Sequence, residues 1–195
     1  MTTSLRDRQR DQVRADIRRA AFRLFIERGY DAVTTEEIAA AAGVSPRTFF
    51  RHVPVKEDLL LGPVRHGGAA IVSMLEQRPA TESADVALVN AIISRTRSFD
   101  PTDCEEWRAA LLVAPDLLGK VTMYAPADRE RATKLIAERM SVHPDGDIRP
   151  GLLVQIGFAA GDFAFQHWVR GTGAHHPLDF YVTQALQAVQ SPYWS

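Results

Sequence analysis

The segment 34–52 encodes two short helices that meet at a glycine. Thr34 and Glu37 have the spacing of a capping box, in which each side chain bonds the backbone N–H of the other residue at a helix start. Gly43 ends this first helix, because glycine adopts a left-handed conformation without steric cost. Ser45 caps a second helix, whose first position is proline, a residue suited to that place. The pattern predicts a helix-turn-helix, which presents the leading turn of its second helix to the major groove of DNA.

The remainder of the chain also follows helical spacing. Apolar residues recur three and four positions apart, and there is little of the alternation that marks a strand. We therefore expect an all-α fold of about nine helices. Residues 1–55 would form a three-helix DNA-binding domain, and residues 56–195 a helical domain for ligand binding and dimerisation. Proline and glycine predict a kink at residues 63–68 and a kink or break at Pro126.

Charge is distributed unevenly along the chain. Residues 1–56 carry 11 Lys or Arg against 7 Asp or Glu, whereas residues 57–195 carry 12 against 17. A basic head on an acidic body favours a polyanionic partner for the head alone. A solvated charged surface would explain the counts equally well.

Three arginines stand at the start of the first predicted helix, which we expect over about residues 9–28: Arg6, Arg8 and Arg10. They would form a mobile arm that reaches phosphate or the minor groove. The alternative is a disordered tail that contacts nothing. Composition alone does not decide between the two.

The position of each side chain in the second helix of the motif predicts its role. Unpaired N–H groups in the first turn, with the Ser45 hydroxyl, favour a phosphate. Arg47 can reach a guanine edge through two hydrogen bonds, and Thr48 a thymine methyl or a phosphate. Residues at the far end can meet backbone or bases, and Lys56 can bind phosphate. The residues expected at the DNA surface are Thr34, Thr35, Ser45, Pro46, Arg47, Thr48, Phe50, Arg51, His52 and Lys56.

Several stretches of sequence together resemble one family of regulators. They are Phe25-Ile26-Glu27-Arg28-Gly29-Tyr30, Thr34-Thr35-Glu36-Glu37-Ile38-Ala39, Ala42-Gly43-Val44-Ser45, and Thr48-Phe49-Phe50-Arg51-His52 followed by Lys56-Glu57-Asp58-Leu59-Leu60. Over residues 10–62 the chain thereby resembles the TetR family of bacterial transcriptional regulators. The resemblance implies an operator-binding protein whose usual mode is repression. It implies DNA-facing positions at Thr35, Pro46, Arg47, Thr48, Phe50, His52 and Lys56.

The chain departs from the family pattern at two places. The family usually has tyrosine where this chain has Phe50, and the missing hydroxyl removes a phosphate contact. The family often has Ser or Asn where this chain has Val55, and the loss of that helix cap should cost roughly 1 kcal/mol. Neither departure affects the expected fold.

A palindromic operator requires two reading heads about one helical turn (~34 Å) apart, which a two-fold dimer supplies. The segment 148–170 is apolar nearly all round, so it must be covered on several sides. Its small residues would let another helix approach closely, and the resemblance implies that this helix and the last one form a four-helix dimer interface. The expected interface residues are Leu153, Gly157, Gly161, Ala164, Phe165, Trp168, Tyr181, Val182, Ala185 and Val189.

The other face of the same helix is expected to line a ligand cavity, in which Tyr and Trp would orient a ligand through their polar tips. No charge cluster marks a cationic ligand, so we expect a small apolar or amphipathic effector. The carboxyl half also resembles family members proposed to bind acyl-CoA-like molecules. Any single candidate is more often an ordinary core residue than a ligand contact. The candidates are Met74, Trp107, Leu111, Met123, Tyr124, Phe158, Phe163 and His167.

Two other classes of function stay open. A dimeric DNA-binding regulator controlled by a partner protein, without a small ligand, is the alternative. An enzyme is a distant third, because the chain has no phosphate-binding glycine loop, His-Glu-x-x-His or Gly-x-Ser-x-Gly motif.

No metal and no cofactor are expected, because the six histidines lack metal-ligand spacing, and His175 and His176 more simply belong to a solvated loop. Cys104 is the single cysteine and fits a reducing compartment as a small buried side chain. The sequence has neither a signal peptide nor an apolar run of about 20 residues. We therefore expect a cytoplasmic protein that does not enter a membrane.

Overall fold

The structure, a computed structural model, describes residues 5–99, 101–119, 123–171 and 176–190. Every regular element in these residues is an α-helix, which confirms the all-α expectation. They contain eleven helices instead of about nine, because two of the expected helices are divided. The helices are α1 (Leu5–Arg28), α2 (Thr35–Ala41), α3 (Pro46–His52), α4 (Asp58–Arg65), α5 (Gly67–Glu76), α6 (Ala84–Arg97), α7 (Pro101–Leu112), α8 (Pro115–Leu118), α9 (Pro126–Met140), α10 (Arg149–Arg170) and α11 (Leu178–Gln190).

The chain forms two compact units. One consists of Met1–Pro63 and Thr102–Val121, and the other of Val64–Pro101 and Thr122–Ser195. We call them the N-terminal unit and the helical unit. The N-terminal unit is larger than the expected domain 1–55, because it also takes in the start of α4, most of α7 and all of α8.

Helix α7 is tied to the N-terminal unit by a buried tryptophan. The indole N–H of Trp107 donates to the backbone carbonyl of Leu60 at 2.8 Å, and Trp107 is 4% exposed. A buried indole needs such a partner, because an unpaired N–H in the interior is costly. This contact therefore holds part of the expected second domain within the first unit.

Helix α1 begins about four residues earlier than expected, at Leu5. The stretch before Gly29 contains neither glycine nor proline, and its arginines and glutamines are good helix formers. Arg8 and Arg10 accordingly lie in the first turns of α1 with exposed side chains. The start of the chain from Leu5 is thus helical, which replaces both the mobile arm and the disordered tail; the side chain of Arg6 lies outside the described residues.

Helix α1 ends at a glycine in the left-handed conformation. Gly29 has a φ of +83°, and its N–H donates to the carbonyl of Phe25 at 2.8 Å. The rings of Phe25 and Tyr30 lie 5.0 Å apart, as the hydrophobic contact of such a stop requires. The helix therefore ends at Arg28, at the position expected from sequence.

The two predicted breaks are present. Helix α9 begins with Pro126, where a missing backbone N–H costs nothing. Pro63 lies inside α4, and the helix stops two residues later, so that α5 begins separately at Gly67. Packing also requires glycine at position 68, because the carboxylate of Asp128 occupies the space that a Cβ there would need.

Helix α10 is the centre of the helical unit. It packs against α6, α9 and α11, while α5 packs against α6 and α9. A helix that is apolar nearly all round suits this position, because neighbours cover it on several sides. Its buried residues are Pro150, Val154, Gly157, Phe158, Ala160, Gly161, Ala164, Phe165, Trp168 and Val169.

Two further observations concern the described residues as a whole. None of their helices combines the length and apolar character needed to cross a bilayer. They also contain no group of three or more His, Cys, Asp or Glu side chains placed to hold a metal ion. Cys104 is buried and has no disulfide partner, and His175 lies outside the described residues.

Candidate functional site

The leading turn of α3 is held at the surface by its cap. The Ser45 Oγ accepts the backbone N–H of Thr48 at 3.2 Å, and the Ser45 hydroxyl donates to the Thr48 Oγ1 at 3.1 Å. Gly43, with a φ of +67°, turns the chain between α2 and α3. Pro46 and Arg47 are exposed. The predicted cap is confirmed, and the first turn of α3 carries the exposed side chain of Arg47 at the surface.

The opposite side of α3 packs into the N-terminal unit. Phe49 is fully buried, and His52, three residues on, is 9% exposed. Residues three apart lie on the same face of a helix, so burial of one draws in the other. His52 is therefore a packing residue rather than the outward-facing residue expected, and Arg47, Phe50 and Arg51 form the outer side.

Phe50 is a half-exposed aromatic residue on this outer side. It is 46% exposed, and its ring meets that of Phe49 edge-on at 5.4 Å. Phe50 lacks the hydroxyl with which a tyrosine would bind a phosphate. Its exposed ring can instead pack on a sugar or on a thymine methyl. This contact stays a prediction.

The start of α2 is fixed by a network that involves three side chains. The predicted capping box is present: the Thr34 Oγ1 accepts the N–H of Glu37, and Glu37 accepts the N–H of Thr34 at 2.8 Å. Arg28 also donates to Glu37 at 2.8 Å. The bond from the Thr34 backbone, followed by the one from Arg28, lowers the pKa of Glu37 to about 2. The hydroxyl of Thr35 donates to Glu36 at 3.0 Å. Thr34 and Thr35 thus already have partners on this surface, and their DNA contacts stay predictions.

Lys56 is occupied within the N-terminal unit. Its Nζ donates to the backbone carbonyls of Tyr30 and Val33 at 2.9 and 3.0 Å, and lies 4.0 Å from the centre of the Tyr30 ring. A partly buried ammonium with two carbonyl partners and an aromatic face beneath it stabilises the turn between α1 and α2. The structure thus gives Lys56 a structural role, and its expected phosphate contact stays a prediction.

The candidate ligand residues do not form one group. Trp107 and Leu111 are buried in the N-terminal unit, and Phe163, at 68% exposed, and His167 lie on the outer side of α10. Met74, Met123, Tyr124 and Phe158 belong to the helical unit, where Met74 and Met123 are partly exposed.

The structure brings the candidates together in two pairs: Phe163 and His167 have ring centres 6.1 Å apart on the outer side of α10, and Tyr124 and Phe158 form a closer pair. The rings of Tyr124 and Phe158 stack at 4.1 Å in the core of the helical unit. The charges of Asp162, Arg129 and Arg95 act on Tyr124: burial raises the pKa of Asp162, and the Arg129 guanidinium lies 5.9 Å from the Tyr124 ring. Tyr124 and Phe158 are thus a buried aromatic pair with charged groups beside it.

Most of the expected dimer residues lie inside the protomer. Gly157, Gly161, Ala164, Phe165, Trp168 and Val182 are buried, and Leu153, Tyr181 and Ala185 are intermediate. The two glycines admit neighbours from the same chain: a Cβ at 157 would lie 3.0 Å from the side chain of Leu88, and a Cβ at 161 would lie 2.6 Å from the Tyr124 hydroxyl. The expected interface is therefore corrected, because the small-residue face of α10 is covered by the protomer itself. Val189, 43% exposed, is the one residue of that set that faces solvent.

A different set of apolar residues is exposed on α10 and α11. Leu152, Ile156 and Phe163 are 54%, 39% and 68% exposed, and Phe180 is 39% exposed. Sequence reasoning missed the first two and Phe180, and it assigned Phe163 to the ligand. A helix that is apolar all round carries no pattern that tells its inner from its outer face, so only exposure separates them.

A surface groove of about 600 Å³ lies in the N-terminal unit, between α1, α2 and α7. It is lined by charges of both signs, including Arg19, Arg23 and Glu27, and by Ile26. None of the candidate ligand residues lines it. This groove is therefore separate from the apolar effector site that was expected.

Comparison with known proteins places this architecture among regulators. The family model described as "Bacterial regulatory proteins, tetR family" matches residues 17–62. The chain is 33% identical over 172 residues to the HTH-type transcriptional regulator TcmR of Streptomyces glaucescens. The match covers 84% of this chain and 76% of TcmR.

Solved structures show the same fold at lower identity. The fatty acid degradation regulator FadR of Bacillus halodurans superposes with a TM-score of 0.56 at 17% identity, over 98% of both chains. A transcriptional regulator (TerR/AcrR family) of Aquifex aeolicus VF5 gives a TM-score of 0.55 at 16% identity, over 91% of this chain and 98% of the other. At these identities the likeness concerns the fold alone.

Proposed function

Because the chain belongs to the TetR family of bacterial transcriptional regulators, we propose that it represses transcription by binding a palindromic operator as a homodimer, and that a small effector releases it. Family membership makes it a DNA-binding transcriptional regulator and not an enzyme. The observation that carries the proposal is the exposed leading turn of α3, which Ser45 caps and which bears Arg47. A capped turn of this kind can enter the major groove and read base edges.

The dimer forms through the outer side of α10 and α11. Leu152, Ile156 and Phe163 lie four and seven residues apart and so share one face of α10, and Phe180 is exposed on α11, which packs against α10. Large apolar side chains so exposed on adjoining helices mark an interaction surface. A second copy of the chain is the occupant, because a two-fold operator requires two identical reading heads and a self-complementary patch supplies them.

Sedimentation of two matched variants tests this dimer. Phe163→Glu places a charge in the proposed interface and should weaken dimerisation at least tenfold. Val86→Glu changes an apolar residue of α6 that is 42% exposed and lies outside the interface, so it should sediment as the wild type does. A monomeric wild-type protein, or equal behaviour of the two variants, would contradict the proposal.

The effector occupies the helical unit near the stacked rings of Tyr124 and Phe158. Their apolar surface suits an acyl or other hydrophobic group, and Arg129 and Asp162 supply polar partners for a head group. Binding there must favour the conformation that cannot bind DNA if it is to release the operator. An amphipathic effector suits this site, because its apolar part would meet the rings and its polar part would meet Arg129 and Asp162.

The effector proposal is tested on the protein–operator complex with a medium-chain acyl-CoA, and with free coenzyme A as the control that lacks the apolar chain. Release of the duplex by the acyl-CoA alone is expected. Tyr124→Phe keeps the stacked ring and loses the hydroxyl. The acyl-CoA should therefore still release the duplex from this variant, but at a different acyl-CoA concentration. Equal release by both compounds, or by neither, would contradict an amphipathic effector of this kind.

Selection of bound duplexes from a random pool tests operator binding itself. We expect an inverted repeat whose half-sites are centred about one helical turn, or a multiple of it, apart. A reporter placed behind the selected sequence should be expressed less when the protein is present. Failure to enrich any sequence, or a single unrepeated half-site, would contradict the proposal.

A further inference from the structure

The groove between α1, α2 and α7 lies within the N-terminal unit and has a volume of about 600 Å³. That volume falls within the range of roughly 300–1,000 Å³ that is usual for small-molecule sites. Nine of the residues that the structure describes line the groove. A stable protein interface takes about 20–30 residues from each partner. The groove therefore suits a small molecule better than a segment of another protein.

Three charged side chains in the groove have no partner of opposite charge. Asp16 and Arg19 form an ion pair with each other. Among the residues that the structure describes, Arg23, Glu27 and Glu106 form no ion pair. Arg23 and Glu27 are exposed one turn apart on α1, and Glu106 is exposed on α7. The described lining of the groove therefore offers one guanidinium and two carboxylates to a ligand.

This pattern of charge favours a ligand that carries both signs. The carboxylates of the groove would repel a polyanion such as DNA. A purely apolar ligand would cover these charges without providing partners for them, which is costly. A carboxylate can accept two parallel hydrogen bonds from the guanidinium of Arg23. An ammonium group has three donors, which the carboxylates of Glu27 and Glu106 can accept.

Aliphatic side chains form the rest of the groove. Ala20 is buried, Ala42 is partly exposed and Ile26 is 43% exposed. They give an aliphatic group of a ligand a surface on which to pack. Ala42 directly precedes Gly43, so the groove reaches the turn between α2 and α3.

We infer that this groove binds a small zwitterion of the amino-acid type, with a carboxylate, an ammonium group and an aliphatic side chain. Arg23 binds the carboxylate, Glu27 and Glu106 bind the ammonium group, and Ile26 packs on the side chain. The groove is thus a second ligand site, in the N-terminal unit. It is independent of the effector site proposed in the helical unit and of operator binding.

Calorimetric titration of the full chain without DNA tests the site, with L-leucine as the probe. Leucinamide, which lacks the carboxylate, and N-acetylleucine, which lacks the ammonium group, are the matched compounds. Leucine should bind with a Kd below about 1 mM, and each analogue should bind at least about tenfold more weakly.

Two variants assign the charged groups of the ligand to their partners. Arg23→Gln should weaken leucine binding at least about tenfold and leave leucinamide binding unchanged, because leucinamide has no carboxylate. Glu27→Gln should weaken leucine binding and leave N-acetylleucine binding unchanged, because that compound has no ammonium group.

Arg14→Gln is the matched control. Arg14 is an exposed arginine of the same helix, but it lies about 180° around α1 from Arg23. This variant should bind leucine as the wild type does. Thermal unfolding of each variant verifies that these exposed substitutions leave the fold intact.

The outcomes separate this site from the proposed function. A wild-type protein that does not bind leucine at up to about 10 mM would overturn the zwitterion site. Equal affinity for leucine and its two analogues, or equal effects of Arg23→Gln and Arg14→Gln, would also overturn it. Operator binding is measured separately by the selection of duplexes, so failure of that selection would overturn the proposed function and leave the zwitterion site standing.

Discussion

The hydroxyl oxygen of Tyr124 lies beside the backbone of Gly161, only 2.6 Å from the point that a Cβ at position 161 would occupy. Tyr124 is 4% exposed, and its ring stacks on Phe158, so the hydroxyl has little room to move away. Gly161 is therefore required by packing within the protomer. From the sequence, Gly161 was expected to contact a second copy of the chain in the dimer interface.

Gly161→Ala should destabilise the protein by about 1–3 kcal/mol, because a methyl group is forced against a buried oxygen. Tyr124→Phe removes that oxygen, so the double variant should recover most of the loss. Urea unfolding of the four proteins gives the coupling between the two positions. Strictly additive effects would show that the two residues do not meet.

Gly67 and Gly68 should respond in opposite ways to alanine. Gly67 has open space around its Cα, so Gly67→Ala should be neutral or stabilise α5 by up to roughly 1 kcal/mol. Gly68→Ala pushes a methyl group into the carboxylate of Asp128 and should destabilise the helical unit. Thermal unfolding of both variants measures the difference.

The same pair tests whether the break between α4 and α5 acts as a hinge for release of DNA. Gly67→Ala stiffens the start of α5 without a clash, so it is the informative variant. If the break is a hinge, Gly67→Ala should raise the effector concentration needed to release the operator. Unchanged release would show that the break is a local irregularity without a regulatory role.

Lys56→Met should destabilise the N-terminal unit by about 1–3 kcal/mol, because it removes the partner of two backbone carbonyls. Lys134→Met is the control: Lys134 is exposed and pairs with Glu130 one turn away, so its loss should leave stability nearly unchanged. Thermal unfolding compares the two. Equal stability of both variants, with DNA affinity reduced in Lys56→Met alone, would return Lys56 to the DNA surface.

The stability of the protein should decrease in mild acid because of His52. Burial, and after it the charges of Arg51, Arg14 and Arg10, lower the pKa of His52 from 6.5. Below that value the unfolded chain binds a proton that the folded chain resists, so the stabilisation present above about pH 6.5 is lost as the pH falls. Urea midpoints at about pH 7.5 and 5.5 measure the loss.

His52→Gln should reduce this loss, because glutamine does not titrate. His143→Gln removes an exposed imidazole from the loop before α10 and should keep the wild-type loss. If His52→Gln loses as much stability between the two pH values as the wild type, the titration of another group causes the acid sensitivity.

The helix-turn-helix could be predicted from sequence almost to the residue. The capping box at Thr34, the stop at Gly43 and the Ser45 cap are local devices, and each depends on residues within one turn of each other. The break at Pro126 is equally local. These features can therefore be predicted without knowing how distant parts of the chain pack.

The inner and outer faces of α10 could not be predicted, because every face of this helix is apolar. Whether Gly161 meets Tyr124 or another molecule depends on how α6, α9 and α11 surround it. The burial of His52 and the bonds of Lys56 likewise depend on tertiary packing. Sequence predicts both as surface residues, but neighbours in the N-terminal unit cover His52 and bond Lys56.

The most direct measurement is the selection of duplexes repeated with Arg47→Ala. If the leading turn of α3 reads bases, Arg47→Ala should lose discrimination at one symmetric pair of positions in the inverted repeat, at a cost of about 1–3 kcal/mol there. An unaltered consensus from Arg47→Ala would contradict the assignment of α3 as the reading helix.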